Sequence, residues 1–103
     1  MKTHRAKRVE IIIEKPLEPR LTDALTEAGV TGYTVLPVQG GSGRSGRWSS
    51  SGEVSPGSGM VAIVCLTRPD RVENLIEVAF SVVERHIGVV SISDAEVLRV
   101  ARF

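Results

Sequence analysis

Residues 24–47 read ALTEAGVTGYTVLPVQGGSGRSGR. Three signals follow one another in that stretch. Ala24, Leu25 and Ala28 continue an apolar face that begins at Leu21, with the spacing of a helix. Gly29 is a natural stop for that helix. Val30 to Val38 then has β character, carried by Tyr33, Val35 and Leu36. Pro37 has no N–H to give to a ladder, so this end of the strand should be an edge or a bulge. From Gly40 to Gly59 there are twenty residues, of which fourteen are Gly or Ser. Two paired strands need a connection of only about two to five residues, so the length of this loop calls for a use.

Working outward, Val9–Ile13 reads as a first strand, ended by Pro16 and Pro19. Pro19 suits the first turn of the helix, where its missing N–H costs nothing. Beyond the loop, Met60–Leu66 is an unbroken apolar run, as in a strand covered on both faces or buried between subunits. A second helix is predicted from about Thr67, Pro69 and Asp70, with Val72, Leu75, Ile76, Ala79, Phe80 and Val83 as its buried stripe and Gly88 as its end. Val89–Val100 reads as one or two strands, broken near Ser93 and Asp94. The order β-α-β-loop-β-α-β predicts an α+β chain of the split βαβ, ferredoxin-like kind, βαββαβ. Two helices cover one face of such a sheet. The bare face and the apolar third strand together predict that further copies of the chain cover the other.

The bulk properties are consistent with one domain over residues 1–103: the chain is 42% hydrophobic, enough for a single modest core. A net charge of +1 gives no general affinity for polyanions. Lys2, Arg5, Lys7 and Arg8 crowd the start, and residues 1–8 are expected to be a flexible basic tail. Cys65 is the single cysteine, so no disulfide can close within the chain; a small buried hydrophobe in a reducing compartment is expected. His4 and His86 lie far apart without ligand-spaced neighbours, so no metal site is expected. The apolar segment Ile11–Ile13 is too short for a signal-peptide core or a membrane span, which favours the cytoplasm. No nucleophile–base pair or carboxylate pair stands out, so an enzyme is not expected, and no catalytic cofactor with it.

The loop has a chemistry of its own. Gly40, Gly41, Gly43 and Gly46 let backbone N–H groups turn toward an anion, and Arg44 and Arg47 add forked donors for phosphate or carboxylate. No Gly-Lys-Ser/Thr follows, so this is not a Walker loop. The competing reading is a flexible linker.

Residues 24–47 also resemble the PII signal-transduction family, in which a helix runs through a glycine and a strand into a long T-loop. The match rests on Ala24, Leu25, Gly29, Val30, Gly32, Thr34, Val35, Val38 and Gly40. It continues at TRPDRVENLIEVAF, residues 67–80, and at AEVLRV, residues 95–100. The resemblance implies a homotrimer with an adenine nucleotide in each cleft between subunits, and residues 40–59 as the T-loop. Carried over by position, Ile12, Thr34, Gly40, Gly41, Ser42, Gly43, Arg44, Cys65, Thr67, Gly88 and Arg99 are expected at the nucleotide, with Ile12 lining the base pocket, Cys65 and Thr67 near the base and Arg99 at the phosphates. Arg102 is added as a second cation near the same strand end. Gly41, Ser42, Gly43 and Arg44 are the candidates for an accompanying bicarbonate, and Arg47 and Trp48 for contact with a protein partner. The loop is expected to be mobile alone and to order over the ligand.

The departures from the family pattern carry information. RWSSSGE stands where the family has its uridylylated tyrosine motif, so control by uridylylation is not expected. IGVVSIS keeps only Gly88 of the B-loop Gly-x-Gly-Lys, with Val90 and Ser91 in place of the second glycine and the lysine. A missing phosphate lysine favours ADP or AMP over ATP. These features look most like the PII-like proteins of inorganic-carbon metabolism, including the carboxysome-associated group, which implies bicarbonate sensing and a partner such as a transporter or a carboxysome-related enzyme. Two other classes compete. A nucleic-acid-binding module would need exposed sheet aromatics, and the chain has only Tyr33, Trp48, Phe80 and Phe103. A purely structural oligomer leaves the loop glycines and arginines without a role.

Overall fold

The computed structural model describes residues 1–43, 46–49 and 59–98, with the backbone alone described over 46–49. Strand β1 spans His4–Glu14, helix α1 Glu18–Glu27, β2 Thr34–Pro37, β3 Gly40–Gly43, β4 Gly46–Ser49, β5 Met60–Thr67, helix α2 Val72–Val83 and β6 Gly88–Val97. Single 3₁₀ turns at Lys15–Leu17 and Pro69–Arg71 lead into the helices. Pro19 stands in the first turn of α1, where no intrahelical donor is lost. After α1 the chain turns at Gly29, whose φ of 89° a residue with a Cβ rarely adopts.

Four strands form one sheet in the order β2-β5-β1-β6, antiparallel at each pairing. This is the expected α+β, ferredoxin-like arrangement: β5 enters between β2 and β1, and β6 closes the other side. Both helices pack on one face. There Val9, Ile11 and Ile13 of β1 meet Val61, Ile63 and Cys65 of β5, Leu21 and Leu25 of α1, and Leu75, Ala79, Val82 and Val83 of α2. All are 5% exposed or less. At roughly 1.5–3 kcal/mol per buried side chain, this layer is the main source of the chain's stability.

Several expectations are corrected. The basic start is not a tail beyond Thr3: β1 begins at His4 because His4–Arg8 find partners in Ser93–Val97 of β6. The last segment does not break at Ser93 and Asp94. Ser93 pairs with Arg8 and Asp94 with Lys7, so one strand runs through, and the Lys7 ammonium pairs with the Asp94 carboxylate across the ladder. Phe80 is 54% exposed and Val82 takes the inner position expected of it, because the stripe of α2 is centred on Leu75, Ala79 and Val83. Gly88 opens β6 rather than ending α2, which stops at Val83. The long loop carries its own two-stranded sheet, with β3 paired to β4 from Gly40↔Ser49 to Gly43↔Gly46.

Candidate functional site

The pairing registers sort the expected site residues by position. At one end of the sheet, Ile13 lies opposite Val61 and Gly88, and Glu14 opposite Met60. At the other end, Lys7 lies opposite Thr67 and Asp94. Six residue steps along β1 separate the two levels, about 20 Å at ~3.3 Å per step.

Ile12 and Gly88 belong to the first end. Ile12 is half-buried and lies between Ala62 and Val89 on the sheet face that the helices leave open. Gly88 is packed against it: a Cβ there would come within 2.8 Å of the Ile12 carbonyl oxygen and of Val83 Cγ1, and 3.1 Å of Ile13 Cγ2. The glycine is therefore required by close approach. The turn before it is held in place by Glu84 N–H to Phe80 O at 2.8 Å, His86 N–H to Val83 O at 2.8 Å, and Ile87 N–H to the Glu14 carboxylate at 3.2 Å. β2 ends at Pro37 opposite Val61, so the chain enters Gly40, Gly41, Ser42 and Gly43 from this same end. These four residues are exposed. At its return, the loop is tied down by Lys15 N–H to Gly59 O at 2.8 Å.

Cys65 and Thr67 belong to the second end, and Thr34 lies between the two ends at the level of Glu10. β2 starts at Thr34, opposite Val64, so Cys65, Leu66 and Thr67 run past the last pairing with β2 while still paired to β1. Beside that free edge is a cavity of about 280 Å³, lined by Ala28–Thr31, Leu66, Thr67, Asp70, Arg71, Asn74 and Leu75. Thr67 is buried at its wall. The Cys65 side chain is not part of it. It is 1% exposed and points into the core, where burial pushes the thiol up to about 11. Its expected place at a ligand is corrected to that extent: strand alternation gives the thiol to the core, and only the backbone faces the edge.

The site's neighbours that sequence reading missed are Thr31, Asp70, Arg71 and Asn74, which share the cavity wall with Thr67. The motif Gly29-Val30-Thr31 was the available signal for the first of these, and Asn74 had none. A larger groove, about 670 Å³, is lined by Arg5, Lys7, Asp94 and Glu96 with Ala6, Pro69 and Ala95. None of the expected ligand residues reaches it, and its charges oppose one another, so it is the weaker candidate. Arg44, Arg99 and Arg102 lie outside the described residues; Arg47 and Trp48 fall in β4, paired with Ser42 and Gly41. The chain reaches Val97 beside His4, at the same end as Thr67. Among the described residues no cluster of His, Cys, Asp or Glu could hold a metal ion, and no described helix is long and apolar enough to cross a membrane.

Comparison with known proteins places this geometry. No curated protein sequence matches the chain. Among solved structures, CPII from Thiomonas intermedia K12, a nitrogen regulatory PII-like protein bound to ADP, AMP and bicarbonate, superimposes with a TM-score of 0.88 at 30% identity, covering 99% of this chain and 96% of that one. CPII bound to ADP and bicarbonate gives 0.84 at 31% identity, with 99% and 97% covered. Its apo form gives 0.71 at 29%, with 93% and 95% covered. The family profile described as "Nitrogen regulatory protein P-II" matches residues 6–102, which is nearly the whole sheet and both helices; the chain belongs to the P-II family.

Proposed function

We propose that this chain is a nucleotide-sensing regulatory protein, without catalytic activity, that binds ADP or AMP in clefts between the subunits of a homotrimer, together with bicarbonate. The observation that carries the reading is the separation of the site residues. Ile12, Gly88 and the entry to Gly40–Gly43 stand toward one end of the sheet and Thr67 at the other, with Thr34 at the level of Glu10 between them. One nucleotide does not reach from Gly88 to Thr67 on a single chain across about 20 Å. Two copies that bring opposite ends together supply both halves. The cavity at Thr67, about 280 Å³, lies just below the range of clefts that enclose a small molecule, ~300–1,000 Å³. It has room for a base, while the phosphates require a second wall.

The open sheet face supports the assembly. Leu36, Ala62, Ile12 and Val89 form one apolar row across all four strands, with Leu36 44% and Val89 61% exposed in the single chain. In the trimer the base sits by Thr67 of one copy. The phosphates lie against the turn before Gly88 and the glycines of β3 in the next, with Arg44, Arg99 and Arg102 as charged partners. Bicarbonate takes the remaining donors of Gly41–Arg44. The long loop then reports the bound state to a protein partner of inorganic-carbon metabolism in the cytoplasm, a transporter or a carboxysome-related enzyme, through Arg47 and Trp48. CPII, with ADP, AMP and bicarbonate bound, supports that ligand set.

Calorimetry with AMP, ADP and ATP, each with and without bicarbonate, tests the reading. ADP affinity should rise with bicarbonate, and bicarbonate affinity should rise with ADP by the same factor. Absence of binding for all three nucleotides would overturn it, as would binding of ADP by a species that sediments as a monomer.

A further inference from the structure

We infer that Glu14 sets the nucleotide preference of this site: its carboxylate, placed where phosphates are to be received, disfavours each added phosphate charge. The inference rests on the reading that the phosphates lie between the turn before Gly88 and the long loop.

Glu14 is the last residue of β1 and is half-buried. Its Oε1 accepts the Ile87 N–H at 3.2 Å. The next residue, Lys15, donates its N–H to Gly59 O at 2.8 Å, where the long loop returns to the sheet. One side chain and the adjoining backbone amide thus join the turn before Gly88 to the return of the loop whose opening glycines the reading assigns to phosphate. The turn lies directly on the end of β1, because Gly88 packs against the Ile12 carbonyl and Val83 with no room for a Cβ.

A backbone N–H presented by a turn is a donor that a phosphate oxygen would use, and here a carboxylate already holds it. The ion pairs among the described residues are Lys7–Asp94, Arg8–Glu10 and Arg68–Asp70. None includes Glu14, so within that set no cation within 4 Å neutralises it. An arriving phosphate must displace the carboxylate from Ile87 N–H or settle beside its charge, and charges in direct contact lie well inside the screening length of about 8–10 Å. The penalty grows with phosphate charge, from AMP through ADP to ATP. The missing B-loop lysine, with Ser91 in its place, removes an attraction; Glu14 adds a repulsion.

The test is calorimetry on the full-length protein with AMP, ADP and ATP, comparing wild type with Glu14→Gln and Glu14→Lys. Gln keeps the size and an acceptor for Ile87 N–H while removing the charge. The ATP-to-AMP affinity ratio should rise about tenfold in Glu14→Gln and further in Glu14→Lys, since juxtaposed like charges oppose binding strongly, with AMP affinity within about twofold of wild type. A residue that only supports the turn would change all three affinities alike. An unchanged ratio in both variants, with nucleotides still bound, overturns the assignment of Glu14 and leaves the nucleotide reading standing. A wild-type protein that binds none of the three removes both.

Discussion

The two faces of the central sheet are built from the same strands and both carry apolar side chains, yet they have opposite fates in the single chain. On the helix side, Val9, Ile11, Ile13 and Ile63 are 0% exposed. On the other side, their sequence neighbours Ile12, Val64 and Leu66 are only partly covered, and Leu66 is 41% exposed. One face completes the fold. The other is left partly uncovered, with the Arg8–Glu10 pair at 2.9 Å upon it, and is the surface that the proposed trimer would use. An apolar strand pattern therefore predicts burial without saying whether the chain or its copies provide it.

The largest effect expected from this contrast is at the closed face. Ile63→Ala should destabilise the protein by about 2–5 kcal/mol, the usual range for a buried aliphatic truncated to Ala, as measured by urea unfolding at fixed protein concentration. A loss below about 1 kcal/mol would mean that this layer is not the principal core. Gly88→Ala comes next. The new Cβ must move a backbone oxygen as well as Val83, and overpacking of this kind costs about 1–3 kcal/mol; thermal unfolding and the spacing of β1 and β6 in a crystal structure of the variant would show it.

The open face should answer to a different measurement. Val89→Asp is expected to convert a trimer to monomers in sedimentation while leaving the helical circular dichroism of the chain intact, because no helix-side contact is lost. A variant that stays trimeric would place the subunit contact elsewhere, and one that unfolds would show that the open face is needed for the chain's own fold.

The smallest effect belongs to the exposed edge. The Lys7 ammonium, by hydrogen bond and then by charge, holds the Asp94 carboxyl below its ordinary value of 3.8. A lowered folded-state value means that the pair's contribution is present above the unfolded value and is lost as pH falls through the folded one. Asp94 is fully solvated, so Asp94→Asn should barely move the unfolding midpoint at pH 7, and any difference from wild type should vanish in strong acid. A pH-dependent difference near neutrality would point to another group.

Much of the fold was legible because it is local. Leu21, Leu25, Leu75 and Ala79 announce their faces by helical spacing, Gly29 and Pro19 mark ends by backbone restriction, and the run Met60–Leu66 reads as a strand. The errors lie where pairing across the sheet overrode local cues. Arg5, Lys7 and Arg8 read as a solvated tail, and Ser93-Asp94 as a break. Each is in a strand because the other is opposite it, and neither segment carries that information alone.

For the candidate site the division is similar. The chain's composition and motifs determined by themselves that a glycine-rich, arginine-bearing loop follows the second strand and that Gly88 follows the second helix, and residues 24–47 carried the resemblance to the P-II family. Such properties follow from residue type and near neighbours, and are written along the chain. Only the tertiary structure decided that Ile12 and Gly88 touch, that Glu14 meets Ile87, that the Cys65 thiol belongs to the core, and that Thr67 lies at the far end of the sheet from Gly88. Those relations depend on strand order and register, which bring together residues such as Glu14 and Ile87 that are 73 positions apart. Distances of that kind are set by how whole faces pack, and no stretch of sequence contains them.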